Sequence, residues 1–159
     1  MTRLILSASM PTDLETAATA RLRSRGQRFT PRRRALVEIL AEVGQPLTLP
    51  EILAARKGFA QSSAYRNLVV LEQAGVVHRL VTSTDFARYE LAEDLTEHHH
   101  HLVCVQCGAM EDFAAPSGME RSVRAAVSRV AGEHGFTPIS HRLDVAGLCR
   151  RCAASAASG

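Results

Sequence analysis

The chain has 159 residues, is 46% hydrophobic and 22% charged, and carries a formal net charge of +3. This composition excludes a wholly disordered chain, and the length allows one ordinary domain or two small ones. Tryptophan is absent and aromatics make up only 4% of residues, which argues against the deep apolar pocket of a small-molecule enzyme.

The opening residues run into Pro11, Thr12 and Asp13 without the apolar core of an export signal, and no stretch is long and apolar enough to span a bilayer. The expected location is the cytoplasm, with no membrane partner. Leu14, Ala17, Ala18 and Leu22 recur at helical spacing and predict a first helix over 13–25, ended by Gly26. Thr30 followed by Pro31 marks the start of a second helix, because the hydroxyl caps free amides and proline lacks the N–H that would go unused there. Leu36, Ile39, Leu40 and Val43 line its apolar stripe, and Gly44 stops it. A shorter third helix covers about 50–56 with Ile52 and Leu53 inward.

A fourth helix is expected after Gln61, with Ser62 and Ser63 as caps, Ala64, Leu68 and Leu71 inward, and its end at Gly75. Its leading polar residues, Ser62, Ser63, Tyr65, Arg66 and Asn67, face away from that stripe, as a helix entering a DNA major groove requires. Two β-rich runs, 76–82 and 86–91, flank Ser83, Thr84 and Asp85 and predict a hairpin. Helices followed by such a hairpin make a winged helix-turn-helix; the competing reading is a small helical bundle whose polar face meets only water. Arg21, Arg23, Arg25, Arg28, Arg32, Arg33 and Arg34 lie together with no acid between them, which favours a polyanionic partner.

Beyond residue 91 a polar hinge, 92–97, leads into His98, His99, His100 and His101 and then Leu102, Val103 and Cys104. On an extended chain successive side chains point to opposite faces, so His98 and His100 belong to one site and His99 and His101 to another. Cys104/Cys107 and Cys149/Cys152 each have the x2 spacing of a zinc knuckle, and together they supply a closed site of four thiolates. Such a site leaves no open coordination position for catalysis, and neither pair has the strand–CxxC–helix context of a thiol oxidoreductase. Between the pairs, Met119, Val123, Ala126, Val127 and Val130 mark a helix ended by His134 and Gly135, and Ile139, His141, Leu143 and Val145 alternate as a strand. The expected fold is α/β (α+β): a winged helix over 1–91 followed by a small α/β dimerisation domain over 98–159.

With these residues together, the chain resembles the ferric uptake regulator family. The resemblance rests on Ser62-Ser63-Ala64-Tyr65-Arg66-Asn67-Leu68, the run His98 to His101 joined to Cys104-x-x-Cys107-Gly108, then His134-Gly135-Phe136, His141 and Cys149-x-x-Cys152. It implies a homodimeric, metal-dependent repressor that binds a palindromic double-stranded DNA operator and is not an enzyme. Zinc or iron is the expected sensed ion; a peroxide sensor or a sensor of another metal is the alternative within the family, and a zinc-dependent enzyme the alternative outside it. The resemblance places structural zinc on the four cysteines and a sensing divalent ion, Zn2+ or Fe2+, on Glu90, His99 and His101. The position where iron sensors place a histidine holds Leu47, whereas a zinc-sensor position holds His78, so His78 is the expected fourth ligand. A third site maps to His98, His100 and His141 with Glu120, although Arg124 occupies the aligned position. Tyr65 and Arg66 map to the major groove, and Arg28 to the backbone or minor groove.

Overall fold

A computed structural model of the chain describes residues 12–81 and 87–157. The opening segment and the expected hairpin tip at Thr82, Ser83, Thr84, Asp85 and Phe86 lie outside the described residues. The chain divides into two compact units, residues 1–97 and 98–159.

The first unit is built from α1 (Thr12–Ser24), α2 (Pro31–Val43), β1 (Leu47–Thr48), α3 (Leu49–Ala55), α4 (Gln61–Gln73), β2 (Val77–Leu80) and β3 (Arg88–Leu91). Helix α2 begins where Thr30 accepts from the Arg33 amide, and it ends at Gly44, whose left-handed backbone (φ 64°) returns an N–H to Leu40. Its buried face comprises Leu36, Val37, Ile39 and Leu40, whereas Val43 is 44% exposed. The arc is wider and lies further toward the start of the helix than the sequence stripe implies, because α3, α4 and β3 all pack on α2. Helix α3 opens with a reciprocal cap: the Thr48 hydroxyl accepts from the Glu51 amide, and the Glu51 carboxylate accepts from the Thr48 amide at 2.7 Å.

Helix α4 starts one residue earlier than expected. Ala60 is its N-cap, without a side-chain bond, so Ser62 and Ser63 fall inside the first turn. The Ala60 carbonyl accepts from the Ser63 and Ala64 amides at 3.0 Å each, which begins the helix ahead of both serines; the Ser63 hydroxyl accepts from Arg32 at 2.8 Å. Leu68 and Leu71 of α4 join Leu22, Leu36, Ile39 and Ile52 in one core with Val76, Val77, Tyr89 and Leu91 of the wing. The wing pairs in the order β1-β3-β2, with His78 opposite Glu90 and Leu47 opposite Tyr89. Beyond β3, Arg21 of α1 binds both the Gly75 carbonyl and the Asp94 carboxylate, fixing the short 3-10 turn Glu93–Leu95 to the helical body.

The second unit contains β4 (His100–Cys104), β5 (Met110–Phe113), α5 (Ser117–Glu133), β6 (Asp144–Gly147) and α6 (Arg150–Ala157). Strand β4 lies in the middle, antiparallel to β5 and parallel to β6. The expected strand over 139–145 forms only from Asp144, and Ile139 is fully exposed. The reason is the partner: β4 begins at His100, so ahead of Leu143, whose carbonyl accepts from the His101 amide, residues 139–142 have no strand beside them. Helix α5 is amphipathic yet has no buried residue, with Met119 and Val130 on its uncovered side. Helices and a separate small sheet thus give a winged helix followed by an α/β unit.

Candidate metal centres and nucleic-acid face

Strand β4 ends in a tight turn in which Gly108 adopts φ 68° and returns its N–H to Cys104. A side chain is strained at that angle, so glycine is what lets Cys104 and Cys107 approach each other. Across the parallel pairing, Gly147 accepts from Val105, and the Cys149 amide donates to Cys104 Sγ at 3.4 Å. The four sulfur atoms of Cys104, Cys107, Cys149 and Cys152 lie within 4.8 Å of one another. Cys107 Sγ and Cys149 Sγ are 3.8 Å apart, and all four cysteines are free thiols. A zinc tetrahedron with bonds of about 2.3 Å has edges of about 3.8 Å, so the sulfurs stand where zinc would hold them. The electrostatics agree. Amide donors, foremost that of Cys149, lower the Cys104 thiol to about 6, while burial pushes Cys152 up to about 12. Four thiolates this close cannot all ionise unless a cation shares their charge.

The histidine run divides by parity. His98 and His100 stack edge to face with ring centroids 4.7 Å apart, and His141 joins them at 4.9 Å from His98. Glu120, in the first turn of α5, reaches all three rings, at 3.3 Å from His98, 3.1 Å from His100 and 3.2 Å from His141. The His100 hydrogen bond is the largest influence on this carboxylate, which is held down at about 2. The buried Nε2 of His141 makes no hydrogen bond despite that proximity. Three ring nitrogens and a carboxylate around one point form a donor set a divalent cation would satisfy. Arg124, the residue at the aligned position, instead forms an i,i+4 pair with Glu120.

His99 and His101 form the other pair, with ring centroids 5.2 Å apart. Asp112, on β5 directly opposite His101, brings a carboxylate 3.7 Å from His101 Nε2. The sequence reading did not include Asp112. Asp144 contacts the other nitrogen of His101, Nδ1, at 3.0 Å. In the first unit, Glu90 is buried on β3, and His78, its register partner, is exposed and belongs to no cluster of ligand side chains within that unit.

On α4, Tyr65 is 49% exposed and Arg66 points outward, its Nε bonded to the Ser62 carbonyl. Asn67 is held from two sides, by Arg33 Nε at 3.1 Å and through its own bond to the Ser63 carbonyl at 2.8 Å. The same Arg33 reaches the Arg28 carbonyl at 2.6 Å, so a single guanidinium fixes both the leading turn of α4 and the loop carrying Arg28. Ser62, Tyr65, Arg66, Arg28 and Arg32 are exposed on this face, and the half-buried Ser63 hydroxyl accepts from Arg32 while keeping its own hydrogen to donate.

The sequence model described as the ferric uptake regulator family matches residues 24–146. The peroxide operon regulator of Bacillus subtilis is 30% identical over 135 residues, which is 82% of this chain and 88% of that protein. The ferric uptake regulation protein of Neisseria meningitidis serogroup A is 37% identical over 93 residues, 58% of this chain and 60% of that one. Among solved structures, that of the Helicobacter pylori ferric uptake regulator, described as revealing three functional metal-binding sites, is similar with a TM-score of 0.69 and 27% identity. It covers 96% of this chain and 97% of its own.

Proposed function

The chain belongs to the ferric uptake regulator family of metal-responsive transcriptional regulators, and from that premise we propose that it represses metal-homeostasis genes as a cytoplasmic homodimer on double-stranded DNA. It is a regulator and not an enzyme. Structural zinc binds Cys104, Cys107, Cys149 and Cys152, and an exchangeable divalent ion binds His99, His101 and Asp112. Glu90 and His78, neighbours on the wing, are the first unit's proposed contribution to that ion, and His98, His100, Glu120 and His141 form the third site. The ion supplies a fixed positive centre that these side chains can share; the residues themselves set its position. Ser62, Ser63, Tyr65, Arg66 and Arg28 meet the duplex, with the arginines on phosphate or base edges and the tyrosine against a thymine methyl.

The observation that carries this reading is the cluster of His99, His101 and Asp112, built at the start of the strand that runs into the four-thiolate site and on the strand paired beside it. The uncovered apolar side of α5, with Phe136 and Ile139 exposed beyond it, supports a second copy of the chain as partner. Among the described residues no helix is long and apolar enough to cross a membrane. The test is a titration of duplex binding by protein that keeps only its cysteine-bound zinc, comparing Zn(II), Fe(II), Mn(II) and Ni(II). Binding that rises with one of these ions supports the proposal, and affinity indifferent to all four refutes it.

A second reading, peroxide sensing, is favoured by the match to the Bacillus subtilis peroxide regulator over most of both chains. Mixed nitrogen and oxygen donors suit Fe(II) and Mn(II) as well as Zn(II). On that reading, hydrogen peroxide abolishes duplex binding by the Fe(II)-loaded protein and spares the Mn(II)-loaded form; equal resistance in both removes it.

A further inference from the structure

Two consecutive histidines on β4 are wired in opposite senses by Leu143, just ahead of β6, and Asp144, its first residue. His101 is 1% exposed, so its ring nitrogens are satisfied by protein groups and not by bulk water. Its Nδ1 lies 3.0 Å from Asp144 Oδ1, and its Nε2, on the far edge of the ring, faces Asp112. Asp144 is the register partner of His101 across the parallel pairing, and its second oxygen is held by Arg142 at 3.1 Å. A carboxylate only accepts, and of the two carboxylates only Asp144, at 3.0 Å against 3.7 Å for Asp112, is within hydrogen-bond reach; the neutral ring therefore keeps its hydrogen on Nδ1, and the Nε2 lone pair is left for an ion shared with Asp112.

His100 shows the reverse. The Leu143 amide donates to its Nδ1 at 3.3 Å, and an N–H cannot accept, so this nitrogen carries no proton. The neutral ring therefore keeps its hydrogen on Nε2, which donates to Glu120 at 3.1 Å. An ion approaching His100 Nε2 has to displace that hydrogen; an ion approaching His101 Nε2 finds a lone pair already presented.

We propose that Asp144 is the positioning residue that fixes His101 Nε2 as a metal-binding atom, and that the Leu143–Asp144 step directs the exchangeable ion to the His99/His101/Asp112 pocket ahead of the His98/His100/Glu120/His141 pocket. The inference rests on the reading of His99, His101 and Asp112 as ligands, so its test separates the two. Full-length protein retaining its cysteine-bound zinc is titrated with Zn(II) against a competing chelator. Wild type is compared with Asp144→Ala, Asp144→Asn and His101→Ala, and the ring nitrogens of His101 are followed by 15N NMR.

Partners that orient a ligating histidine are worth about 10–100-fold in metal affinity. Asp144→Ala is expected to lose that much, with His101 passing from one tautomer to a mixture, while the cysteine-bound zinc stays stoichiometric. Asp144→Asn keeps the shape and a neutral acceptor, and is expected to lose less. Wild-type affinity in Asp144→Ala with the Nδ1–H tautomer intact overturns the proposal. If Asp144→Ala sheds its cysteine-bound zinc, Asp144→Asn decides, and unaltered affinity there overturns it equally. Wild-type affinity in His101→Ala overturns the pocket itself, and the role of Asp144 with it.

Discussion

Withdrawing the ion from between the two cysteine pairs is expected to unfold the second unit and leave the first standing. The main apolar core draws every member from residues 14–91. Among the described residues of the second unit, only Cys104, Met110 and Cys152 are buried apolar side chains, and α5 buries none. Cys107 and Cys149 lie 42 positions apart, and closing a loop of that length costs on the order of 4 kcal/mol in chain entropy. A structural zinc site supplies roughly 10–16 kcal/mol in apparent binding free energy, enough to close the loop and leave a surplus that orders α5 and β6. The assay is hydrogen exchange read by mass spectrometry, on reduced protein before and after strong chelation, with zinc content measured in parallel. Peptides covering 100–147 should lose protection, those from α2 and α4 should keep theirs, and the dimer should dissociate. Retained protection over 100–147 in protein verified as zinc-free would refute the reasoning.

Three further outcomes are expected. Arg33→Ala releases both Asn67 and the Arg28 loop, so duplex affinity should fall by about tenfold; fluorescence anisotropy over a salt series should show an unchanged slope, since loss of a phosphate contact would lower that slope by about one. Asp112→Ala removes a ligand and should weaken the exchangeable ion by more than the roughly 100-fold that loss of an orienting partner costs at most, without altering cysteine-bound zinc, as competitive titration would show. Glu120 has its folded-state pKa depressed from 4.5 to about 2, first by the His100 hydrogen bond. Its contribution is therefore complete above pH 4.5 and lost as pH falls toward 2. Denaturant unfolding of metal-free protein across that window should show a slope that Glu120→Gln removes.

The first unit was legible because its cues are local. Thr30-Pro31 and the Ala64–Leu68–Leu71 stripe each act within a turn or two of helix, and the structure follows them closely. The start of α4 departs by one residue because the Ala60 carbonyl takes the first helical bonds, a backbone start with no side-chain cap to mark it in the sequence. Asp112 could have been found. Cys104 lies opposite Ala109 across the knuckle turn, and counting back equally along both strands sets His101 against Asp112. Asp144 could not, since its partner is fixed by a parallel pairing whose register depends on the long connection through α5 and on the closure at Cys149. The sequence pattern extended the last strand back to Ile139 for the same reason: alternation reports a face but not whether a neighbouring strand is there to pair with.

That parallel pairing also ties the three proposed sites to one another: they share one strand and its neighbours. His100 and His101 sit next to each other on β4, and they are oriented by the Leu143 amide and the Asp144 carboxylate at the head of β6. The tail of β6 is pinned to the end of β4 by the Val105 and Cys149 amides, beside the four thiolates. Loosening the thiolate end therefore frees the segment that sets both tautomers, while an ion at His99, His101 and Asp112 restrains β4 against β5 and β6 together. By linkage, any stiffening that one ion provides to another's ligands is returned in equal free energy. The four-cysteine site in this arrangement does more than hold a fold: it keeps Asp144 at the distance from which His101 can be a ligand.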